Sequence, residues 1–269
     1  TAHGKYCNKN LQYFIYMDIQ VLVDRFCDYS TYIKGFSPTT IERYRKVVKL
    51  YCNHSGIKEI EGVNEDNVRD YLYYGRTERN WSANSFITYH KSLVVFFRWC
   101  RENKFMQLDP MKDIELPKLH KKLPLKLTKQ SSLRLLEIVF NYPYKYRFQR
   151  YRNHAIFAMF IFTGVRRKEL LTLKYADVDI ENLSLFIREG KGGKDRVIPI
   201  SYTLAEILKK YLEERKRLKK TCPEFFTSLN RNIGFTDSGM KRLVERFKKA
   251  SGLQFGIHKL RHTFATLML

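Results

Sequence analysis

Apolar residues recur at helical spacing through most of the first hundred positions. Ser37-Pro38-Thr39-Thr40 reads as a helix start, a capping residue followed by proline in the first turn. Ile41, Tyr44, Val48 and Tyr51 then fall on one face. Asn64-Glu65-Asp66 opens a second helix, with Val68, Tyr71 and Leu72 inward. Ser82-Ala83-Asn84-Ser85 opens a third, which runs through Ile87, Leu93, Val94, Phe97 and Trp99 and carries Lys91, Arg98 and Arg101 on its polar face. Together these spacings predict a compact bundle of four or five helices over residues 1–108.

The pattern breaks over residues 109–124, where three prolines and the basic stretch Lys118-Leu119-His120-Lys121-Lys122 leave no periodicity. This predicts a basic linker, either laid along a phosphate backbone or simply solvated. A second domain follows over 125–269. Leu127-Thr128 starts a helix with Leu133, Leu136 and Val139 inward, and an apolar helix covers 155–162. Residues 183–201 form two β-rich runs around Gly190-Lys191-Gly192-Gly193, the pattern of a hairpin. Helices return over 203–219, 238–251 and 258–269. The predicted fold class is mainly α with a small β-sheet or hairpin: an all-helical first domain and an α+β second one.

Charge adds a partner to this picture. Fifty Lys and Arg against 27 Asp and Glu give a net +23, an excess that calls for a polyanion. Nucleic acid is the first candidate and an anionic membrane surface the second. Residues 1–120 carry 18 basic and 14 acidic side chains, against 32 and 13 in residues 121–269, so the second half meets the polyanion more intimately. No apolar run is long enough to span a bilayer and no signal peptide is evident. The five cysteines are widely spaced and include no CxxC pair, a reduced, cytoplasmic pattern without a zinc site.

Two segments carry candidate chemistry. In Thr163-Gly164-Val165-Arg166-Arg167-Lys168-Glu169-Leu170, Arg166 stands where a helix begins and Glu169 lies one turn on, placed to orient the guanidinium. In His258-Lys259-Leu260-Arg261-His262, His258 and Arg261 share a helical face. Two arginines from separate helices can grip one phosphate bidentately. Lys191 in the hairpin turn can donate a proton to a leaving oxygen, and His258 can shuttle one near neutral pH. Taken singly, each element also fits a plain surface Arg–Glu pair or an exposed turn lysine. His258 and His262 have the spacing of a helical zinc pair, but Lys259 stands where HExxH needs glutamate and a third ligand is lacking, so no metal or other cofactor is expected. His262 is expected to pack or bond inside the fold. Gly190-Lys191-Gly192-Gly193-Lys194 is no P-loop, because its glycines join two strands. Further phosphate contacts are expected from Lys91, Arg98, Arg101, Lys121, Lys122, Arg167, Lys194, Arg196, Lys241 and Arg242. The set suits phosphoryl transfer, with the cations stabilising transition-state charge and a covalent side-chain intermediate in place of a metal.

These motifs, in this order, with Arg196-Val197-Ile198-Pro199 after the hairpin, resemble the tyrosine recombinases, in their Xer and phage-integrase branch. Ser37-Pro38-Thr39-Thr40 with Tyr44, Ser85 before a helix ending Phe97-Arg98-Trp99, and Asp109-Pro110 resemble the family's SAM-like core-binding domain, so the resemblance spans nearly the whole chain. It implies a two-domain clamp on a duplex recombination site, dimers on a site and tetramers in synapsis, and strand exchange through a Holliday junction. It further implies that Arg166 and Arg261 bind the scissile phosphate, that Lys191 is the general acid toward the 5′ oxygen, that His258 assists proton transfer, and that Glu169 is the acidic support. The family's tyrosine nucleophile follows the HxLRH motif. No tyrosine follows Arg261 here, and Tyr151, Tyr175, Tyr202 and Tyr211 match no nucleophile position. The chain as given is therefore expected to bind DNA without cleaving it. Alternatives are a short form that regulates a full-length recombinase, a type IB topoisomerase and a basic DNA-coating protein.

Overall fold

A computed structural model describes residues 17–119, 127–188 and 194–267. The chain divides into two compact units, Thr1–Lys121 and Lys122–Leu269.

The first unit is helical among its described residues: α1 (Ile19–Asp28), a π turn (Tyr29–Ile33), α2 (Pro38–Ser55), α3 (Glu65–Thr77) and α4 (Ala83–Glu102). Two of the three polar residues read as helix starts cap these helices through their side chains, whereas Ser37 stands at the N-cap of α2 and meets only the Thr40 hydroxyl, at 3.0 Å. The Asn64 side chain accepts from the amide of Asn67 at 3.0 Å, and Ser82 accepts from Ser85 at 3.1 Å, each satisfying a donor the helix leaves unpaired. The inward faces meet in an aromatic core of Phe26, Tyr44, Tyr51, Tyr71, Phe96, Phe97 and Trp99. Met111 is buried in that core and Ile114 packs against it. The start of the segment expected to be a free linker thus belongs to this unit: Asp109 accepts from the Met111 amide at 3.0 Å and turns the chain back onto the bundle. Asp109 also pairs with Arg101, while Lys91 and Arg98 are exposed on α4.

The second unit is built around α6 (Arg147–Thr163), whose residues 155–161 are all buried. It packs against α5 (Lys129–Asn141), α8 (Tyr202–Arg217) and α10 (Ile257–Leu267). Between them come α7 (Arg167–Thr172), β1 (Val178–Asp179), β2 (Ser184–Ile187), β3 (Arg196–Pro199) and α9 (Asp237–Ser251). The two β-rich runs expected over 183–201 pair antiparallel, with Leu185 opposite Ile198 and Ile187 opposite Arg196, and the turn expected between them at 190–193 lies outside the described residues. β1 adds a third antiparallel strand, too short to show any alternation in sequence. In α5 the phase differs from expectation: Leu133 is 52% exposed, and Leu135, Leu136 and Val139 face the core. Tyr211, fully buried, donates to the carbonyl of Phe225 at 2.9 Å and accepts from the amide of Thr227 at 3.1 Å, pinning the 225–227 segment to α8. Lys121, Lys122 and Lys191 lie outside the described residues.

Candidate active site

The site grows from the turn that ends α6. Gly164 caps the helix in the left-handed region, φ 60°, and its amide bonds to the Phe160 carbonyl at 3.2 Å. A Cβ there would lie 2.4 Å from the Phe264 ring, so only glycine lets α10 lie this close. α10 is anchored by buried Leu260 and by Thr263, whose hydroxyl accepts from the Leu127 amide at 3.2 Å. Its Arg261 donates from Nη1 to the Gly164 carbonyl oxygen. One edge of that guanidinium is thus fixed and its other donors remain for a ligand.

The turn also delivers Arg166, the residue before α7. One turn on, the buried Glu169 carboxylate gathers four donations from two arginines. The Arg166 amide reaches Oε2 at 2.7 Å and the Arg166 Nη1 reaches Oε1 at 2.6 Å. Arg196, from β3, forks onto both oxygens at 3.0 and 2.7 Å. Burial alone would raise the Glu169 carboxyl; the Arg196 hydrogen bonds, then those of Arg166, outweigh it and bring it down to about 2. Arg261 is shifted downward by its burial, next by the charge of Arg166, and also by Arg196, with Glu169 opposing. Three guanidiniums therefore share one field with a single carboxylate. The surplus positive charge faces outward through Arg166, whose side chain stays 35% exposed and open to a phosphate oxygen.

The remaining predicted residues fall around this cluster with differing outcomes. His258 is exposed in the first turn of α10 and lines a recess of about 200 Å³ with Arg167, Lys241, Val244, Glu245 and Ile257. Asp237, at the start of α9, holds both Arg167 and Lys241 at 3.1 Å. Lys194 and Arg242 are exposed. Arg196, expected among the phosphate contacts, forks two of its nitrogens onto Glu169. His262 is exposed rather than internal, because the helical period gives the inward positions to Leu260 and Thr263. The four tyrosines that match no nucleophile position have other surroundings. Tyr211 is buried, Tyr151 packs edge-on against Phe140, Tyr175 lies over Arg215, and Tyr202 is exposed in the first turn of α8. Among the described residues no group of His, Cys, Asp and Glu could hold a metal ion. Sequence reasoning missed Asp237, whose position in a capping turn hides its pairing, and the Gly164–Phe264 contact, which joins residues far apart in the chain.

A three-arginine cluster on a helical unit with a small antiparallel sheet defines a class of phosphodiester-handling proteins, and comparison with known proteins gives the family. The model of the phage integrase family matches residues 126–269, and that of the phage integrase N-terminal SAM-like domain matches residues 22–106. The chain belongs to the phage integrase family, the tyrosine recombinases. It is 31% identical over 264 residues to tyrosine recombinase XerC of Bacillus pumilus, covering 93% of this chain and 83% of that protein. It is 32% identical over 235 residues to XerA of Pyrococcus horikoshii, covering 78% and 76%. Among solved structures it resembles the Tn1549 transposon integrase in complex with transposon right end DNA (TM-score 0.74, 17% identity, covering 94% of this chain and 86% of that one). It also resembles a lambda integrase dimer bound to a core site (TM-score 0.69, 19% identity, 93% and 89%). These likenesses show the fold: mostly helical, with a small antiparallel sheet.

Proposed function

We propose that this protein performs site-specific DNA recombination in the cytoplasm, by metal-free cleavage and rejoining of strands. Arg166 and Arg261 grip the non-bridging oxygens of the scissile phosphate. A tyrosine hydroxyl attacks the phosphorus and the bond to the 5′ oxygen breaks. The departing oxygen takes a proton from Lys191, and the 3′ phosphate stays on the tyrosine. His258, beside Arg167 and Lys241, assists the proton transfers. A second attack by a 5′ hydroxyl from the partner duplex reverses the chemistry and yields a Holliday junction, with dimers on each site and tetramers in synapsis. The observation that carries this reading is the placement of Arg166 and Arg261 around one turn, with Glu169 bonded to the first. Fixed cations aimed at developing phosphate charge supply the transition-state stabilisation this chemistry needs. Relatives bearing Xer names and integrases solved on DNA support the same reading. Charge supports it too, since the basic excess of the second unit suits a phosphate backbone. No described helix is long and apolar enough to cross a membrane.

The test is exchange itself. The chain selects its site from genomic fragments, and two copies of that site are placed on a plasmid in cells expressing the intact gene. Excision of the intervening DNA, absent with Arg166→Ala or Arg261→Ala, is the expected result. Site binding without excision moves the reading to a regulator that occupies recombination sites.

A further inference from the structure

The cluster at Glu169 contains one cation that the phosphate chemistry leaves without a task. Arg196 opens β3 opposite Ile187, and two of its nitrogens are committed to Glu169, at 3.0 and 2.7 Å. Arg166 takes a share of one of the same oxygens from the other side, at 2.6 Å. Building on the recombinase reading, we propose that Arg196 is a positioning residue for strand exchange: it locks the plane of the Glu169 carboxylate, and through it the orientation in which Arg166 meets a phosphate.

Three features of the site require such a part. Arg166 is a long side chain at a helix start, and Glu169 anchors its guanidinium. That anchor can hold a direction only if its own carboxylate cannot rotate, and a bidentate fork from another element fixes a carboxylate plane as a point charge does not. The field also matters. Glu169 is faced by Arg166 just before its helix, by Lys168 of that helix, by Arg196 of β3 and by Arg261 of α10, and it shares a recess with Lys174, Asp177 and Arg188. Arg196 supplies the largest of the influences that lower the Glu169 carboxyl against its burial. Without it the carboxylate protonates more readily, and a neutral Glu169 holds Arg166 weakly. Finally, Arg196 lies five positions after Lys191 in the chain. The same ion pair therefore ties the end of the β2–β3 ladder nearest the Lys191 segment to the helix that follows Arg166.

The test uses the intact gene product on a nicked duplex bearing its selected site, with single-turnover cleavage followed from pH 5 to 9 and DNA affinity measured in parallel. Arg196→Met is expected to slow cleavage about 10- to 100-fold while leaving affinity within about twofold, the loss of a preorganised charge rather than of a DNA contact. Its acid limb should move to higher pH than that of the wild type, because Glu169 has lost the largest of the influences that lower it. Arg196→Lys should recover only part of the rate, since an ammonium cannot fork. The double variant Arg166→Ala/Arg196→Met should be no slower than Arg166→Ala alone, as expected of residues acting in series. On the chain itself, the side-chain carboxyl carbon signal of Glu169 should titrate at higher pH in Arg196→Met. The proposal is overturned if Arg196→Met weakens DNA binding, with a salt dependence shallower by about one charge, while bound complexes cleave normally. It is equally overturned if the two substitutions multiply, or if the Glu169 signal does not move. A wild-type protein that forms no adduct removes the recombinase reading and this inference together, whereas an active wild type with unaffected Arg196 variants removes the inference alone.

Discussion

Glu169→Gln isolates the charge at the centre of the site while keeping its shape. The folded-state carboxyl is lowered from 4.5 to about 2. That shift corresponds to stability on the order of 3 kcal/mol near neutral pH, held mainly by Arg196 and Arg166. A depressed carboxyl contributes fully above its unfolded value and loses its contribution as pH falls through the folded one. The destabilisation of Glu169→Gln should therefore be largest above about pH 5 and shrink between about pH 4.5 and about pH 2. Urea unfolding at pH 7, 4.5 and 3 measures it; guanidinium chloride, a salt, would screen the charges in question. Circular dichroism follows both units, and tryptophan fluorescence follows the first, where Trp81 and Trp99 both lie. DNA supplies a second readout of opposite sign. Removing the one carboxylate among three guanidiniums makes the site more positive, so affinity for DNA should hold or rise even as cleavage falls. Equal destabilisation at pH 3 and pH 7, or a loss of DNA affinity in a variant of unchanged stability, would refute the reasoning.

Gly164→Ala puts a side chain at φ 60° and 2.4 Å from the Phe264 ring, and should cost about 2–4 kcal/mol in thermal unfolding. It should also lower cleavage beyond what lost stability explains, because the helix it displaces carries Arg261; a variant that melts and cleaves normally would show that α10 does not depend on this contact. Tyr211→Phe leaves the Phe225 carbonyl and the Thr227 amide without their buried partner, and should cost about 1–3 kcal/mol by the same melt with DNA affinity unchanged.

What the sequence disclosed, and what it withheld, follows from the range of the interactions. Caps and apolar periods are local, so Asn64, Ser82 and Thr128 are recognisable as helix starts, and 155–161 as a buried helix, from neighbouring residues alone. Arg166 and Glu169 are legible as a pair for the same reason, being one turn apart. The role of Arg196 is not, because its partner is 27 positions away and nothing local distinguishes it from the other basic residues. Leu133 faces outward because α5 offers more apolar residues than one face can bury, and only the packing against α6 chooses between Leu133 and Leu135. Met111 is hidden in a proline-rich stretch whose composition suits a linker, although a single Asp109 turn returns it to the core. His262 is expected to pack or bond inside the fold, and the phase of α10 leaves its side chain exposed.

Joint action of Arg166 and Arg261 on one phosphate is the central claim, and a covalent adduct reads it most directly. The intact gene product is incubated, with a chelator present, with a nicked duplex carrying its selected site. A protein–DNA adduct with a 3′-phosphotyrosyl link, lost on either Arg166→Ala or Arg261→Ala, is the predicted result. Cleavage that requires a divalent metal and leaves a free 3′ hydroxyl, or an adduct indifferent to both arginines, would contradict it.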